Sequence, residues 1–129
     1  MKDLFIPADS CGKTPLFDFK QSGELLIEGR SITDNVIEHY QPAIDWISNL
    51  NSPMPSEIKM TVKLEYFNTR SSKMLLNVFK ALETIHLSAK SNVEVIWLYG
   101  EDDRDMLEAG QDYRSVVKIP FNLLTLVES

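Results

Sequence analysis

The sequence predicts an α/β fold in which a mixed sheet of about five strands carries its helices mainly on one face. Two short extended segments around a glycine-containing turn predict an antiparallel hairpin near the start of the chain. Further along, a strand, a long amphipathic helix and another strand follow one another, which is the order of a parallel crossover unit. The first of those strands alternates strictly between apolar and polar residues, which predicts one buried and one solvated face.

The hairpin strands are predicted at residues 15–19 and 24–28. The turn between them falls at Gln21-Ser22-Gly23, because glycine accepts the positive φ that a tight turn requires. An antiparallel start followed by a parallel unit makes the predicted sheet a mixed one.

The first helix is predicted to follow this hairpin. Ser31 stands three residues before Asp34, which is the spacing of a capping box at a helix start. Pro42 lies inside the predicted helix and is expected to kink or split it near Gln41, since proline lacks a backbone donor. The apolar residues that share one helical face are Val36, Ile37, Tyr40, Ile44 and Ile47.

The clearest strand runs from Ile58 to Tyr66, with every second side chain apolar and directed at the predicted core. From Thr69 to about Ala89, apolar residues recur at three- and four-residue spacing. This spacing predicts a long amphipathic helix that packs back on the strand before it.

Three more elements are predicted after this helix. Residues 93–99 alternate as a strand, and residues 101–112 indicate a shorter acidic helix. Residues 116–127 are predicted to be extended, and Pro120 indicates that this last segment lies at an edge or a bulge of the sheet.

Length and charge limit the class of function. The 129 residues fit one domain, with residues 1–13 as a flexible leader and the Pro/Ser-rich residues 51–56 as a connecting loop. The net charge of −6 reflects 13 Lys and Arg against 19 Asp and Glu, which disfavours a binder of nucleic acid. The expected partners are therefore proteins or small molecules.

The sequence also argues against catalysis and membrane insertion. Cys11 is the only cysteine, so the protein is expected in a reducing compartment, the cytoplasm. No apolar run approaches the roughly 18 residues that a membrane-spanning helix needs. His39 and His86 are far apart, and no set of nucleophile, base and acid can be assembled around them. We therefore predict a protein that is not an enzyme and holds no cofactor.

A cluster of polar side chains marks the junction between the clearest strand and the long helix. The hydroxyl or amide groups of Asn68, Thr69, Ser71 and Ser72 follow one another there. Capping by Asn68 or Thr69 is the simplest explanation, because such side chains accept a bond from a free amide of the first turn. The same amides favour an anion, and a hydroxyl there can also accept a phosphoryl group. The residues alone leave these three roles open.

A second polar cluster precedes the acidic helix. Glu101, Asp102 and Asp103 lead into it, and the spacing is not that of a calcium loop. Acidic residues at the start of a helix are explained by the helix dipole, with a protein-contact surface as the second interpretation. A metal site is disfavoured.

Several motifs together resemble the SiaC family of bacterial regulatory phosphoproteins. The resemblance extends from Thr14-Pro15 to Phe121. The motifs that carry it are Gly29-Arg30-Ser31 leading into Asn35, Tyr40-x-Pro42-x-Ile44-x-Trp46, Leu64-Glu65-Tyr66-Phe67-Asn68-Thr69-x-Ser71-Ser72-Lys73, Tyr99-x-Glu101-Asp102-Asp103-x-Asp105-Met106, and Pro120-Phe121.

The resemblance implies a fold similar to STAS domains and a role in partner switching. An anti-sigma-factor-type kinase would phosphorylate Thr69, and a PP2C-like phosphatase would remove the phosphate. The unphosphorylated protein would bind and activate a diguanylate cyclase, and so control cyclic di-GMP signalling and biofilm formation or aggregation. Arg70 departs from the family pattern, which has a small polar residue there, and is expected either at the partner surface or paired with the phosphate.

The expected partner surface comprises Asn68, Thr69, Arg70, Ser71, Ser72, Lys73, Glu101, Asp102 and Asp103. Adjacent parallel strands end at the same edge of a sheet, which is the reason to place the two clusters together. Two alternatives stay open: a STAS-like anti-sigma-factor antagonist with another output, and a small-molecule or anion-binding domain that is not phosphorylated.

Overall fold

The described chain forms a six-stranded mixed sheet with three helices. The structure is a computed structural model that describes residues 2–50 and 54–126. The strands are β1 (Leu4–Ile6), β2 (Leu16–Phe19), β3 (Glu24–Ser31), β4 (Glu57–Phe67), β5 (Asn92–Tyr99) and β6 (Phe121–Thr125). The helices are α1 (Val36–Ser48), α2 (Thr69–Leu87) and α3 (Arg104–Val116). The predicted α/β class is confirmed. Residues 51–53 of the predicted loop and residue 127 of the predicted last segment lie outside the described residues.

The strands lie in the sheet in the order in which they occur in the chain, β1-β2-β3-β4-β5-β6. The pairs β1/β2 and β2/β3 are antiparallel, and the three later pairs are parallel. The predicted hairpin is confirmed: Gly23 has a φ of +108°, and its amide donates to the Lys20 carbonyl at 2.9 Å. The predicted crossover unit is also confirmed as β4, α2 and β5.

All three helices cover the same face of the sheet, as predicted. That face carries the large buried side chains, and the opposite face has no helix among the described elements. Aromatic contacts join α1 to β2, with Tyr40 5.1 Å from Phe17 and Trp46 5.6 Å from Phe19 between ring centroids. Tyr113 of α3 lies 5.4 Å from Trp97 of β5 in the same measure. The helices thus pack with this face of the sheet around one continuous hydrophobic core.

The segment expected to be a flexible leader contains strand β1, so the sheet has six strands instead of about five. Leu4 pairs with Phe19, and the Lys2 carbonyl accepts the indole N–H of Trp46 at 2.8 Å. The Asp3 carboxylate accepts the amide of Gln21 at 2.9 Å. Three residues are too short to show an alternating pattern, and this strand is specified by partners distant in the sequence.

The predicted capping box at Ser31 is wrong. Ser31 is the last residue of β3 and is fully buried, while α1 begins at Val36 after Asn35. Asn35 makes no side-chain cap bond. Pro42 does not split α1, which continues to Ser48. Because Pro42 is exposed, water can bond the carbonyl that proline leaves without a donor.

The alternation of β4 changes near its end. Gly29 pairs with Leu64 but Arg30 pairs with Tyr66, so Glu65 is an extra residue, a β-bulge. As a result Tyr66 is 54% exposed instead of buried as predicted. Phe67 turns inward in its place, with its ring centroid 5.9 Å from that of Trp97.

The last two elements are shifted from their predicted positions. Helix α3 begins at Arg104 and continues to Val116, where the sequence had predicted Glu101 to Asp112. Tyr113 faces the core and extends the apolar side of this helix by another turn. The final strand is correspondingly shorter, and Pro120 precedes it at the edge of the sheet, consistent with its predicted edge position.

Candidate functional site at the start of helix α2

Asn68 caps helix α2. Its backbone is extended, with φ −88° and ψ 176°, and its side-chain oxygen accepts the amide of Ser71 at 2.9 Å. Thr69 is the first helical residue and does not cap. Of the two capping candidates, Asn68 is therefore the cap, and the Thr69 hydroxyl is not used for capping.

The three hydroxyl groups of this first turn have different environments. Ser71 is fully buried and donates to the Ser31 carbonyl at 2.8 Å. Ser72 is half-buried and donates to the Thr69 carbonyl at 2.6 Å. Thr69 is exposed, and its hydroxyl makes no hydrogen bond within the part of the chain that the structure describes. Thr69 is thus the most accessible of the three hydroxyl groups, whereas Ser71 cannot meet a partner directly.

A chain of buried hydroxyl groups lies behind the turn and ties α2 to β3 and α1. Ser31 donates to the Ser71 hydroxyl at 2.6 Å, and Ser71 donates back to the Ser31 carbonyl. The Tyr40 hydroxyl lies 2.7 Å from the Ser31 hydroxyl. Because each hydroxyl carries one hydrogen and Ser31 gives its own to Ser71, Tyr40 is the donor to Ser31. The same Ser31 carbonyl accepts the amide of Asn68 at 3.0 Å.

Burial holds the tyrosine of this network in its neutral form. Burial raises the pKa of Tyr40 to about 12, and the nearby hydroxyl groups of Ser31 and Ser71 act in the opposite direction. Burial also raises the pKa of Tyr113, whose hydroxyl donates to the Ser72 carbonyl at 2.8 Å. The scaffold under the first turn of α2 is therefore uncharged and fully hydrogen-bonded.

The charges near Thr69 belong to exposed side chains. Arg70 forms an ion pair with Asp34 at 3.7 Å, and both side chains are largely in solvent. Such a pair contributes at most about 1 kcal/mol, so Arg70 can exchange partners at little cost. Lys73, one turn after Thr69, is exposed as well.

The acidic cluster has a structural role at α3. Asp103 caps this helix, accepting the amide of Met106 at 3.0 Å, and Asp105 lies in its first turn. Glu101 and Asp102 are exposed in the turn before it. Among the described residues no hydrogen bond or ion pair joins this cluster to the Asn68 turn, and no group of His, Cys, Asp and Glu could hold a metal ion.

The second half of α3, which the sequence did not single out, is the part that lies beside α2. Its residues form one wall of a groove of about 310 Å³, and α2 forms the other. We call this the α2–α3 groove. It is lined by Phe67, Ser72, Lys73, Leu76, Ala109, Asp112, Tyr113 and Val116. The sequence predicted both helices but did not indicate that these residues would line one groove.

Both histidines form hydrogen bonds with backbone groups. His39 donates from Nε2 to the Pro15 carbonyl at 2.8 Å and stacks against Phe17. His86 accepts the Val93 amide on Nδ1 at 3.2 Å. In residues 2–50 and 54–126 none of the helices is long and apolar enough to cross a membrane.

The chain is similar to SiaC proteins of Pseudomonas aeruginosa. It aligns with a crystal structure of the diguanylate cyclase SiaD in complex with its activator SiaC at a TM-score of 0.86 and 26% identity, covering 96% of this chain and 100% of that one. A structure of SiaC alone gives the same TM-score and identity, with 98% and 100% of the two chains covered.

A sequence relative and a family model agree with this likeness. An uncharacterized protein of P. aeruginosa strain UCBPP-PA14 is 26% identical over 121 residues, which is 94% of each chain. The model of the SiaC family of regulatory phosphoproteins matches residues 8–126. The protein therefore belongs to the SiaC family of regulatory phosphoproteins.

Proposed function

We propose that this protein is a non-catalytic switch that binds and activates a diguanylate cyclase until Thr69 is phosphorylated. A kinase of the anti-sigma-factor type adds the phosphate, a PP2C-like phosphatase removes it, and cyclic di-GMP signalling is the output. The cyclase is proposed because a SiaC protein of similar fold is the activator of a diguanylate cyclase in its complex.

The observation that carries the proposal is the division of roles among the side chains of the first turn. Asn68 supplies the cap, and the Ser71 hydroxyl is buried and bonded. Thr69 is the first helical residue and is exposed, and among the described residues its hydroxyl has no hydrogen bond to lose. A phosphoryl group can therefore be added to it without breaking the cap or the hydroxyl network.

The phosphate would act through charge at a contact surface. It brings about −1.5 to −2 charges, which the amides and dipole of the first turn tolerate in the free protein. Burying that charge against a cyclase surface without a matching cation costs several kcal/mol. Since a micromolar complex is worth about 8 kcal/mol, this cost is enough to separate the partners.

Arg70 is proposed to hold the phosphate within the free protein. It is the residue next to Thr69, and its ion pair with Asp34 is long and exposed. A dianionic phosphate is a stronger partner for a guanidinium than one exposed carboxylate. Arg70 would thus leave Asp34 and stabilise the phosphorylated, partner-free state.

The phosphorylation step is tested by intact mass after incubation with ATP and the purified cognate kinase. We expect one phosphoryl group on the unsubstituted protein and none on Thr69→Ala. Ser72→Ala is the matched control, since its hydroxyl lies in the same turn and is partly accessible; it should be labelled normally. Labelling that survives Thr69→Ala would assign the acceptor to another residue.

The output is tested with a purified diguanylate cyclase from the same cells. Thr69→Ala should bind the cyclase and raise its rate of cyclic di-GMP synthesis, whereas Thr69→Glu should bind at least tenfold more weakly. Capture of an anti-sigma factor instead, with no effect on the cyclase, would favour the antagonist with another output. An unchanged mass with the kinase, together with binding of inorganic phosphate at the turn, would favour the anion-binding domain.

A further inference from the structure

We infer that the buried Ser71 is a positioning residue for the phosphorylation of Thr69, and that Ser31 and Tyr40 hold Ser71 in place from behind. These hydroxyl groups fix the backbone on which the Thr69 hydroxyl is presented to the kinase, although they are all buried. The inference rests on the proposed function and adds to it the residues that determine how the acceptor is oriented.

The orientation of the Thr69 hydroxyl depends on its backbone. The hydroxyl makes no hydrogen bond within residues 2–50 and 54–126, so no side chain described there holds it. A threonine in a helix is divided mainly between two χ1 rotamers, because its β-carbon is branched. Once the backbone at residue 69 is fixed, the hydroxyl therefore has only two main positions, and a shift of the backbone moves both.

Two hydrogen bonds to a single carbonyl enclose Thr69. The Ser31 carbonyl accepts the amide of Asn68 at 3.0 Å, just before the acceptor residue, and the hydroxyl of Ser71 at 2.8 Å, just after Arg70. The backbone from residue 68 to residue 71 is thus attached to the end of β3 at both of its ends. Thr69 and Arg70 are the residues in between.

Asn68 and Ser71 are also joined to each other within the turn. The Asn68 side chain accepts the Ser71 amide at 2.9 Å, and the Asn68 carbonyl accepts the Ser72 amide at 3.0 Å. Ser71 therefore takes part in the cap through its amide and in the contact with β3 through its hydroxyl. Removal of this hydroxyl would leave the helix capped but would detach the turn from β3 on the C-terminal side of Thr69.

Ser31 and Tyr40 hold the Ser71 hydroxyl in place. Ser31 donates to it at 2.6 Å, and the Tyr40 hydroxyl lies 2.7 Å from the Ser31 hydroxyl. All three residues have a relative exposure of 0%. Because no partner protein can reach these side chains, an effect of them on the kinase has to act through the backbone of the turn.

This arrangement predicts a change in kcat and not in KM. Phosphoryl transfer depends on the position of the attacking hydroxyl, and a displacement of about 1 Å can lower a rate about a hundredfold. The exposed surface that the kinase binds is unchanged when a buried hydroxyl is removed, so KM should stay the same. A loss of folded protein has a different signature, because it lowers the concentration of usable substrate and raises the apparent KM alone.

The test compares steady-state phosphorylation of full-length Ser71→Ala and of the unsubstituted protein by the purified cognate kinase. We expect kcat to fall roughly tenfold with KM unchanged. Amide hydrogen exchange, followed by NMR, should become faster at residues 68, 71 and 72, whose amides are bonded in this turn. Because alanine is a better helix former than serine, a loosened turn would report the lost hydroxyl bonds and not a lower helix propensity.

Two further variants should show intermediate effects. Ser71→Cys keeps a donor at this position, but a weaker one, so its kcat should lie between those of Ser71→Ala and the unsubstituted protein. Ser31→Ala keeps both bonds to the Ser31 carbonyl, so its kcat should fall less than that of Ser71→Ala. Ser31→Ala should nevertheless lower the midpoint of urea unfolding, since the buried Tyr40 hydroxyl loses its acceptor. The kinase would thus respond to the bonds of the turn and not to overall stability.

Ser91→Ala is the matched control. Ser91 is a buried serine beyond the far end of α2, and its hydroxyl also donates to a backbone carbonyl, that of Pro55. Loss of this hydroxyl should lower the midpoint of urea unfolding with no change in kcat or in the amide exchange of residues 68 to 72. An equal fall of kcat in Ser91→Ala would assign the effect to stability and overturn the inference.

The outcomes separate this inference from the proposed function. An unsubstituted protein that the kinase does not label on Thr69 overturns both. Normal labelling of the unsubstituted protein, with an unchanged or higher kcat for Ser71→Ala, overturns the positioning role and leaves the switch intact. A raised KM at constant kcat, or a lower kcat without faster amide exchange, overturns the positioning role as well. If Ser71→Ala does not fold, Ser71→Cys decides by the same measurements.

Discussion

At the scale of single residues, the candidate site depends on hydrogen-bonded partners that lie far apart in the sequence. Ser31 at the end of β3 bonds Ser71 in α2, forty residues later, and also Tyr40 in α1. Its carbonyl accepts both Ser71 and Asn68. The buried Ser31 thus holds in place the turn that contains Thr69. Thr69 itself is exposed and takes no part in this network.

The buried tyrosine of this network makes stability depend on alkaline pH. The pKa of Tyr40 is about 12 in the folded chain and 10 in an exposed tyrosine. Between these values the unfolded chain releases the proton and the folded chain keeps it. The contribution of Tyr40 is therefore complete below pH 10 and is lost as the pH rises, by up to about 1.4 kcal/mol per pH unit.

Urea unfolding of Tyr40→Phe beside the unsubstituted protein measures this dependence. Near pH 8 we expect the variant to be less stable by about 1 kcal/mol, because it lacks the hydrogen bond to Ser31. The difference should shrink towards about pH 11, since phenylalanine has no proton to lose. Tyr113 is present in both proteins and cancels. A difference that stays constant with pH would contradict the assignment.

The sequence predicted the strand-to-helix junction but not the separate roles of the side chains in it. The change from strand to helix period predicted the junction at Asn68 and Thr69, and α2 was predicted to within two residues of its observed end. The burial of Ser71 depends on Ser31, which local spacing had suggested as a helix cap. The sequence around a polar side chain looks the same whether that side chain bonds an adjacent amide or a residue on another element.

At the scale of elements, helix α3 packs closely on the sheet at a buried glycine. Gly110 is buried in the middle of this helix, and a Cβ there would lie 2.6 Å from Cδ1 of Trp97 and 2.7 Å from Cδ2 of Leu123. Trp97 cannot move aside easily, because it is fully buried and its indole N–H donates to the Met106 carbonyl at 3.0 Å. The glycine sets the distance between helix and sheet.

Gly110→Ala is therefore expected to destabilise the protein. Alanine is favoured over glycine in a helix by up to about 1 kcal/mol. Overpacking against Trp97 costs about 1 to 3 kcal/mol, so we expect a net loss of roughly 1 kcal/mol or more in urea unfolding. Gly100→Ala is the matched control, since its Cβ would only reach ordinary contact with Asp103 at 3.6 Å. Equal or greater stability of Gly110→Ala would refute the close packing.

The bulge in β4 explains why the alternation of apolar and polar residues did not predict correctly which side chains at the end of this strand are buried. A period of two predicts Tyr66 on the buried side, and it holds until Leu64. One extra residue, Glu65, reverses the pattern, so that Phe67 reaches the core and Tyr66 the solvent. Nothing in the local sequence marks the extra residue, because it is defined by the register with β3.

At the scale of the whole molecule, the first residues complete the sheet. Strand β1 pairs with β2, and Lys2 and Asp3 bond side chain and backbone groups of distant residues. The expectation of a flexible leader came from a polar composition. Composition cannot reveal a strand whose partners are supplied by the rest of the fold.

Removal of residues 2–7 should lower the free energy of unfolding by about 1 kcal/mol or more, since the Trp46 indole loses its acceptor and β2 loses its neighbour. Urea unfolding of the shortened and full-length chains measures the loss. In a Trp46→Phe background the same truncation should cost less, because the indole donor is already absent. An identical cost in both backgrounds would show that the Lys2 carbonyl contributes nothing.

Strands that are consecutive in the chain are also neighbours in the sheet, and this order bears on how the sheet folds during synthesis. Each strand after β1 is synthesised directly after the strand beside which it lies, so no strand has to be inserted between two that are already paired. Every parallel connection is closed by a single helix, which keeps the sequence separation of the paired strands short. The sheet can therefore grow in one direction during synthesis, and β6 is the last strand to join it.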